Sequence, residues 1–203
     1  MARRALIVGS GVADRVAAGL QGWEIERAPG GTGPLELVVW ADYPAAAAEP
    51  ALLVDLSLDE WNERCDVPLR GAIDLARDAH HRLASASGTI VFLVPLMASA
   101  GGDRFAALAA LGEGVRVLAK SLAKTWGGDD ITAHAVTLDP HAFLDAADAA
   151  GIASANALHD HPLGRVPSDT VDVAPIIEWL STDPAAPWTG GSLVVDGGLW
   201  MPG

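Results

Sequence analysis

Gly88-Thr-Ile-Val-Phe-Leu-Val-Pro95, followed by Gly101-Gly102 and a long amphipathic stretch that ends at Trp126, decides how this chain folds. Thr89 to Val94 is an uninterrupted apolar run rich in β-branched residues, which reads as a strand buried on both faces. From Asp103 to Trp126, Phe105, Leu108, Leu111, Val115, Leu118, Leu122 and Trp126 recur every three or four residues and predict one apolar helix stripe. Arg104, Arg116, Lys120 and Lys124 fall mostly off it, and the two lysines suit the negative end of the helix dipole. Gly127-Gly128 end the helix, and Ile131 to Val136 begin a second strand. Strand, helix, strand in this order requires a crossover, hence a parallel βαβ unit. The stripe carries no hydroxyl, amine or carboxylate.

Composition narrows what can surround this unit. The 203 residues suffice for one domain, 1–203, with a sizeable core, and half of them are apolar. A net charge of −13 argues against nucleic acid or an anionic membrane as partner, because phosphate binding needs basic surface. The single cysteine, Cys65, rules out an internal disulfide framework and suits the cytoplasm. The longest apolar run is broken by Pro95 and too short to span a bilayer, and no signal peptide is expected.

Working outward to the N-terminus, Ala5 to Val8 is a short buried strand, followed by Gly9-Ser10-Gly11 and a helix from about Asp14 to Leu20. That layout can hold a pyrophosphate on backbone N–H groups. The missing third glycine and Asp14 at the helix start favour a tight turn capped by Asp14 instead. Trp23 to Arg27 and Leu35 to Trp40 read as two more strands. The gap between them is too short for a helical crossover, so they are either antiparallel neighbours or joined by a truncated connection. Ser57-Leu-Asp-Glu60 is a capping box that opens a helix running to about Leu83, with Pro68 inside it to kink or divide it. His80 and His81 read as surface residues near the helix end, since adjacent side chains diverge on a helix.

Towards the C-terminus, His141 to Asn156 is rich in Ala and Asp and reads as helical and mobile. His159-Asp160-His161 looks metal-like, but zinc takes three or four ligands and no cysteine is near, which favours a loop. No metal site is expected. Ser168 opens a helix to Leu180, and Gly190 to Val195 is a last strand before Asp196-Gly-Gly198.

These C-terminal segments carry a resemblance. Pro162-Leu-Gly-Arg165, Val173-Ala174, Glu178-Trp-Leu-Ser181, Asp183-Pro-Ala-Ala186 and Thr189 to Gly198 closely resemble the end of a short-chain dehydrogenase/reductase. Ser121-Leu-Ala-Lys124 with Ile131 to Val136, and Trp61 to Gly71, resemble two further segments of that family. The resemblance implies an α/β, Rossmann-like fold: a three-layer, doubly wound, mostly parallel sheet, here of about six strands and truncated in its N-terminal half.

Carried over residue by residue, the resemblance places the family's tyrosine at Leu108 and its lysine, four residues later, at Gly112. The substrate-polarising serine falls at Pro95 or Val94, and the asparagine of the proton relay at Pro68. None of these side chains passes a proton. Trp40 to Tyr43 stands where the family has Asn-Asn-Ala-Gly, and the loop Gly9, Ser10, Gly11 is shorter than the family's by about two residues. A strand and the adenine-pocket wall are absent between Arg27 and Leu35. The sequence therefore predicts that no cofactor is bound by this chain, NAD(P) being expected in a partner subunit.

Three functions follow as expectations. The first is a non-catalytic subunit assembling with an active dehydrogenase or reductase of the same family, or with itself. In the family, the helices at 59–83 and 103–126 build one interface, and the helix and strand over 168–196 another. Trp188 and Trp200 suit such surfaces. The second is an enzyme with a rebuilt, nicotinamide-independent site for dehydration, cyclisation or isomerisation, using His141 and Asp42 at strand C-terminal ends as acid and base, with His134 left as a packed core residue. The third is an NAD(P)-dependent oxidoreductase.

Overall fold

Six parallel strands in the order β2-β1-β3-β4-β5-β6 make one sheet. The computed structural model describes residues 2–156, 158 and 160–201. In chain order its elements are β1 (Arg3–Gly9), α1 (Val12–Gly19), β2 (Trp23–Glu26), β3 (Leu37–Ala41), α2 (Leu58–Trp61), α3 (Val67–Ala84), β4 (Thr89–Pro95), α4 (Met97–Ala100), α5 (Ala106–Trp126), β5 (Thr132–Leu138), α6 (Ala146–Ala155), α7 (Ala174–Leu180) and β6 (Ser192–Val195). The doubly wound Rossmann-like architecture expected from the sequence is the one observed. No helix among the described residues is long and apolar enough to cross a membrane.

Strand alternation divides the core into two layers. Leu6, Val38, Trp40, Ile90, Phe92, Ala133 and Ala135 face α3 and α5 on one side of the sheet. Ala5, Ile7, Leu37, Val39, Val91, Leu93 and Val136 face α1 and α7 on the other. β3 and β4 are buried at every residue, which is why they read as continuous apolar runs rather than alternating ones.

Of the two arrangements left open for β2 and β3, the truncated connection is the one adopted: β1 lies between them, parallel to both. The loop from 27 to 36 replaces a helix and is tied to α3 by the Leu35 N–H donating to the Arg82 carbonyl. Two expectations for the central helix need correction. The central helix starts at Ala106, not Asp103, because Arg104 takes φ 63°, outside helical space. Its sheet-facing line runs Leu108, Leu111, Gly112, Val115, Ala119 and Ala123, whereas Leu118 and Leu122 are only half-buried. In the second half of the helix, small residues, Ala119 and Ala123, take that line and let the helix approach the sheet.

Pro68 divides its helix as expected, and the structure shows how. A π-helical turn, Asn62–Asp66, absorbs the lost N–H between α2 and α3, leaving Pro68 in the first turn of α3 where no intrahelical donor is needed. Pro175 repeats the device: a π turn over Asp169–Val173 precedes α7. The segment expected to be helical and mobile from His141 contains the regular helix α6, capped by Asp145.

Candidate functional site

The C-terminal ends of β1, β3, β4 and β5 form the edge at which open α/β sheets take ligands. At the end of β1, Gly9 has φ 120°, and a Cβ there would lie 2.3 Å from the Ala41 carbonyl oxygen, so only glycine lets β1 and β3 close together. α1 begins at Val12, two residues before its expected start. Asp14 caps it from within: its carboxylate accepts the Gly11 N–H at 2.9 Å. Arg27 closes the group by donating to Asp14 at 2.5 Å and to the Gly9 carbonyl at 2.7 Å. The amide that a phosphate oxygen would take is thus already bonded to an anionic side chain of the same protein.

Tyr43, the chain's one tyrosine, leaves the end of β3 and packs against Trp40 and Phe143, with ring centroids 4.9 and 5.1 Å away. Part of its ring stays accessible, but its hydroxyl is deep and donates to the Leu93 carbonyl at 2.8 Å. Burial pushes the phenol well above its usual range. Between Ser10, Gly11, Tyr43, Leu108 and Phe143 a cavity of about 170 Å³ remains.

Of the residues carried over from the resemblance, Leu108 lines this cavity. Pro95 ends β4 against α5: a Cβ on Gly112 would lie 3.0 Å from the Pro95 ring and 2.9 Å from Ala98 Cβ. Leu108, one turn earlier, is buried in an apolar cluster with Met97, Phe105, Leu144 and Ile152. Pro68 is buried at the start of α3. The fold therefore brings positions 95 and 112 into contact, and their side chains meet as ring against bare backbone.

The His141–Asp42 pair does not form. Their strands, β5 and β3, are separated by β4, roughly 10 Å of sheet. Asp42 is exposed, and His141 turns its Nδ1 to Asp139, 2.7 Å away. Asp139 is 2% exposed, and its other oxygen meets His161 Nε2 at 2.5 Å. It also accepts the His141 backbone N–H at 2.9 Å. Sequence reasoning missed Asp139; the available signal was a carboxylate directly after a largely buried strand and directly before Pro140.

Of the His159-Asp160-His161 stretch, His159 lies outside the described residues. Among the described residues no group of three or more His, Cys, Asp or Glu is arranged to hold a metal ion. His80 bonds Asp129 at 3.1 Å and packs on Trp126, while His81 is exposed. His134 is a packed core residue, 2% exposed, its Nε2 without a partner, and burial pushes its pKa down to about 4.

A family model described as enoyl-(acyl carrier protein) reductase matches residues 41–200. A cis-4-hydroxycyclohexanecarboxylate dehydrogenase of Sinomonas cyclohexanicum is 29% identical over 179 residues, covering 86% of this chain and 69% of its own length. The 3-oxoacyl-[acyl-carrier-protein] reductase FabG of Staphylococcus aureus is 30% identical over 152 residues, covering 74% of this chain. This chain spans only 61% of the length of that reductase. The structure of the TT0495 protein from Thermus thermophilus shares the fold with a TM-score of 0.76 at 20% identity, over 97% of this chain and 98% of that one. The protein belongs to the short-chain dehydrogenase/reductase family.

Proposed function

We propose that this chain is a non-catalytic member of its family that assembles with a catalytically active dehydrogenase or reductase of the same family and binds no nicotinamide dinucleotide itself. One observation carries the reading: the Pro95 ring rests on Gly112 while Leu108 is buried in an apolar cluster, so the positions that match the family's proton-handling residues offer no group that can give or take a proton.

The surroundings agree. A dinucleotide does not fit the residues present: Asp14 occupies the Gly11 amide and would repel a phosphate. Tyr43 and Phe143 leave about 170 Å³, below the roughly 300 Å³ at which small-molecule pockets begin. Tyr43 is no substitute acid, because no lysine accompanies it; Lys120 and Lys124 both lie near the far end of α5. Outward, the helices expected to build an interface keep apolar side chains in water: Leu58, at the start of α2, is 87% exposed, and Val67, Ile73 and Val117 on α3 and α5 are exposed too. Exposed apolar side chains on these elements suit a partner surface.

The test has two arms. Titration with NADH and NADPH, followed through the seven tryptophans, is expected to give no saturable change. Co-expression with family members, followed by intact-complex mass measurement, is expected to give a mixed oligomer. Saturable cofactor binding with turnover sinks the first half of the proposal, and a chain that stays alone with every candidate sinks the second.

A further inference from the structure

A second cavity lies on the other face of the same sheet edge. It encloses about 320 Å³ between α1, the turn after β5 and the π turn before α7, and is lined by Arg15, His141, Pro167, Ser168, Asp169 and Thr170 among others. Arg15 organises it. Its Nε donates to Asp169 Oδ2 at 2.7 Å, and its Nη2 to the Ala142 carbonyl at 2.8 Å. One permanent cation thus spans from Asp169 to the residue beside His141.

The charges here do not balance. Asp139 and Asp169 are 2% and 8% exposed, so both are more than nine-tenths buried. Against these two carboxylates stands one permanent cation, Arg15; the other partners of Asp139 are imidazoles. Burial raises the Asp169 pKa in spite of Arg15, and the charge on Asp139 pushes the same way. Among the described residues, the side-chain hydrogen bond to Asp169 is made at Oδ2, which leaves Oδ1 to accept another donor. His141 adds a second acceptor. An ionised carboxylate only accepts, so His141 turns its Nδ1–H to Asp139 and, when neutral, its Nε2 carries a lone pair. With Nδ1 turned inward, that lone pair is on the cavity side of the ring. The Ser168 hydroxyl, which accepts the Val171 N–H at 3.3 Å, is a third acceptor in the wall.

We propose that this cavity is a binding site for a small ligand carrying a primary ammonium group, which donates to Asp169 Oδ1 and His141 Nε2 and balances the buried carboxylates. A primary ammonium brings three N–H donors and the missing positive charge in one group. A carboxylate ligand would meet Arg15 but add to an excess of negative charge, and a neutral alcohol would leave the imbalance in place. The protein's net charge of −13 draws cations towards the site from a distance. The site shares only Ala142 with the plugged cleft, and its ligand contacts come from this chain alone, so its failure leaves the assembly reading standing.

Calorimetric titration of the whole chain with n-butylamine, n-butanol and butyrate tests it. The expected result is saturable binding of n-butylamine only, weakened at least about tenfold in Asp169→Asn, the scale of one charge-assisted hydrogen bond. His141→Gln is expected to weaken it by a smaller factor, and Asp183→Asn, outside the cavity wall, to leave it unchanged. If Asp169→Asn fails to fold, His141→Gln decides, because that side chain is partly exposed and its loss leaves the Arg15–Asp169 pair intact. Binding of butyrate in place of the amine overturns the proposal, as does amine binding that neither cavity variant alters, which would be general attraction to an acidic surface. So does no saturation up to about 10 mM amine, weaker than even a millimolar site.

Discussion

At the scale of the residue, His134 couples the fold to pH. It sits within β5 with an unpartnered Nε2, and its pKa is pushed down to about 4 by burial. An unfolded histidine titrates near 6.5, so between about pH 6.5 and 4 the unfolded chain holds a proton that the folded chain does not. Stability therefore falls as pH falls through that window and is unaffected by this group above it. Between pH 7 and 5 the loss is about 2 kcal/mol from this one side chain. Urea unfolding at the two pH values should show that difference, and His134→Leu should remove most of it. An equal pH dependence in the variant would put its origin elsewhere.

At the scale of the element, one ionic group does the work of the segment missing between β2 and β3. Glu26, at the end of β2, takes both terminal nitrogens of Arg82 on α3, at 2.6 and 2.9 Å, and Arg4 on β1 at 2.9 Å. Arg82 also donates to the Gly33 carbonyl in the loop at 2.6 Å. The Arg82 hydrogen bonds hold the Glu26 carboxyl below its usual range. An edge strand, its neighbour, a helix and a loop are joined at one carboxylate. Because Arg82 is 8% exposed, Glu26→Ala leaves a buried guanidinium unpaired and should cost about 3 kcal/mol or more. The loss should appear in the denaturation midpoint and as faster hydrogen exchange in β2. A loss confined to a few tenths of a kcal/mol would mean that water replaces the carboxylate.

The same scale shows where sequence patterns misled. The apolar stripe of α5 was legible as a helix, but which of its residues touch the sheet was not: Ala119 and Ala123 are buried, whereas the larger Leu118 and Leu122 are half-buried. Periodicity finds the helix, and proximity to the sheet selects small side chains for the contact line. The π turns before Pro68 and Pro175 had a sequence cue in the prolines, but not their form.

At the scale of the whole molecule, the exposed apolar residues on α2, α3 and α5 are the part that the isolated chain leaves unexplained. Val67→Asp with Val117→Asp places charges on positions 55% and 46% exposed, so the isolated fold should lose less than about 1 kcal/mol. The expected outcome is loss of any homo- or hetero-oligomer in mass measurement with the melting temperature nearly unchanged. Retention of the oligomer would place its interface on another face, such as the one carrying Trp179 and Trp188, which are 41% and 49% exposed.

The sequence by itself determined the parallel sheet, the order of strands and helices from β3 onward, and the identity of Pro95, Leu108 and Gly112, since each follows from local periodicity or from matching residue to residue. Only the tertiary structure decided that Pro95 rests on Gly112, that Asp14 and Arg27 close the first loop, that Tyr43 fills the cleft, and that His141 answers to Asp139 instead of Asp42. The physical reason is one of range. Backbone pattern is set by neighbours three or four residues apart, whereas a side chain's partner is set by which distant segment the sheet brings beside it, and no spacing along the chain records that.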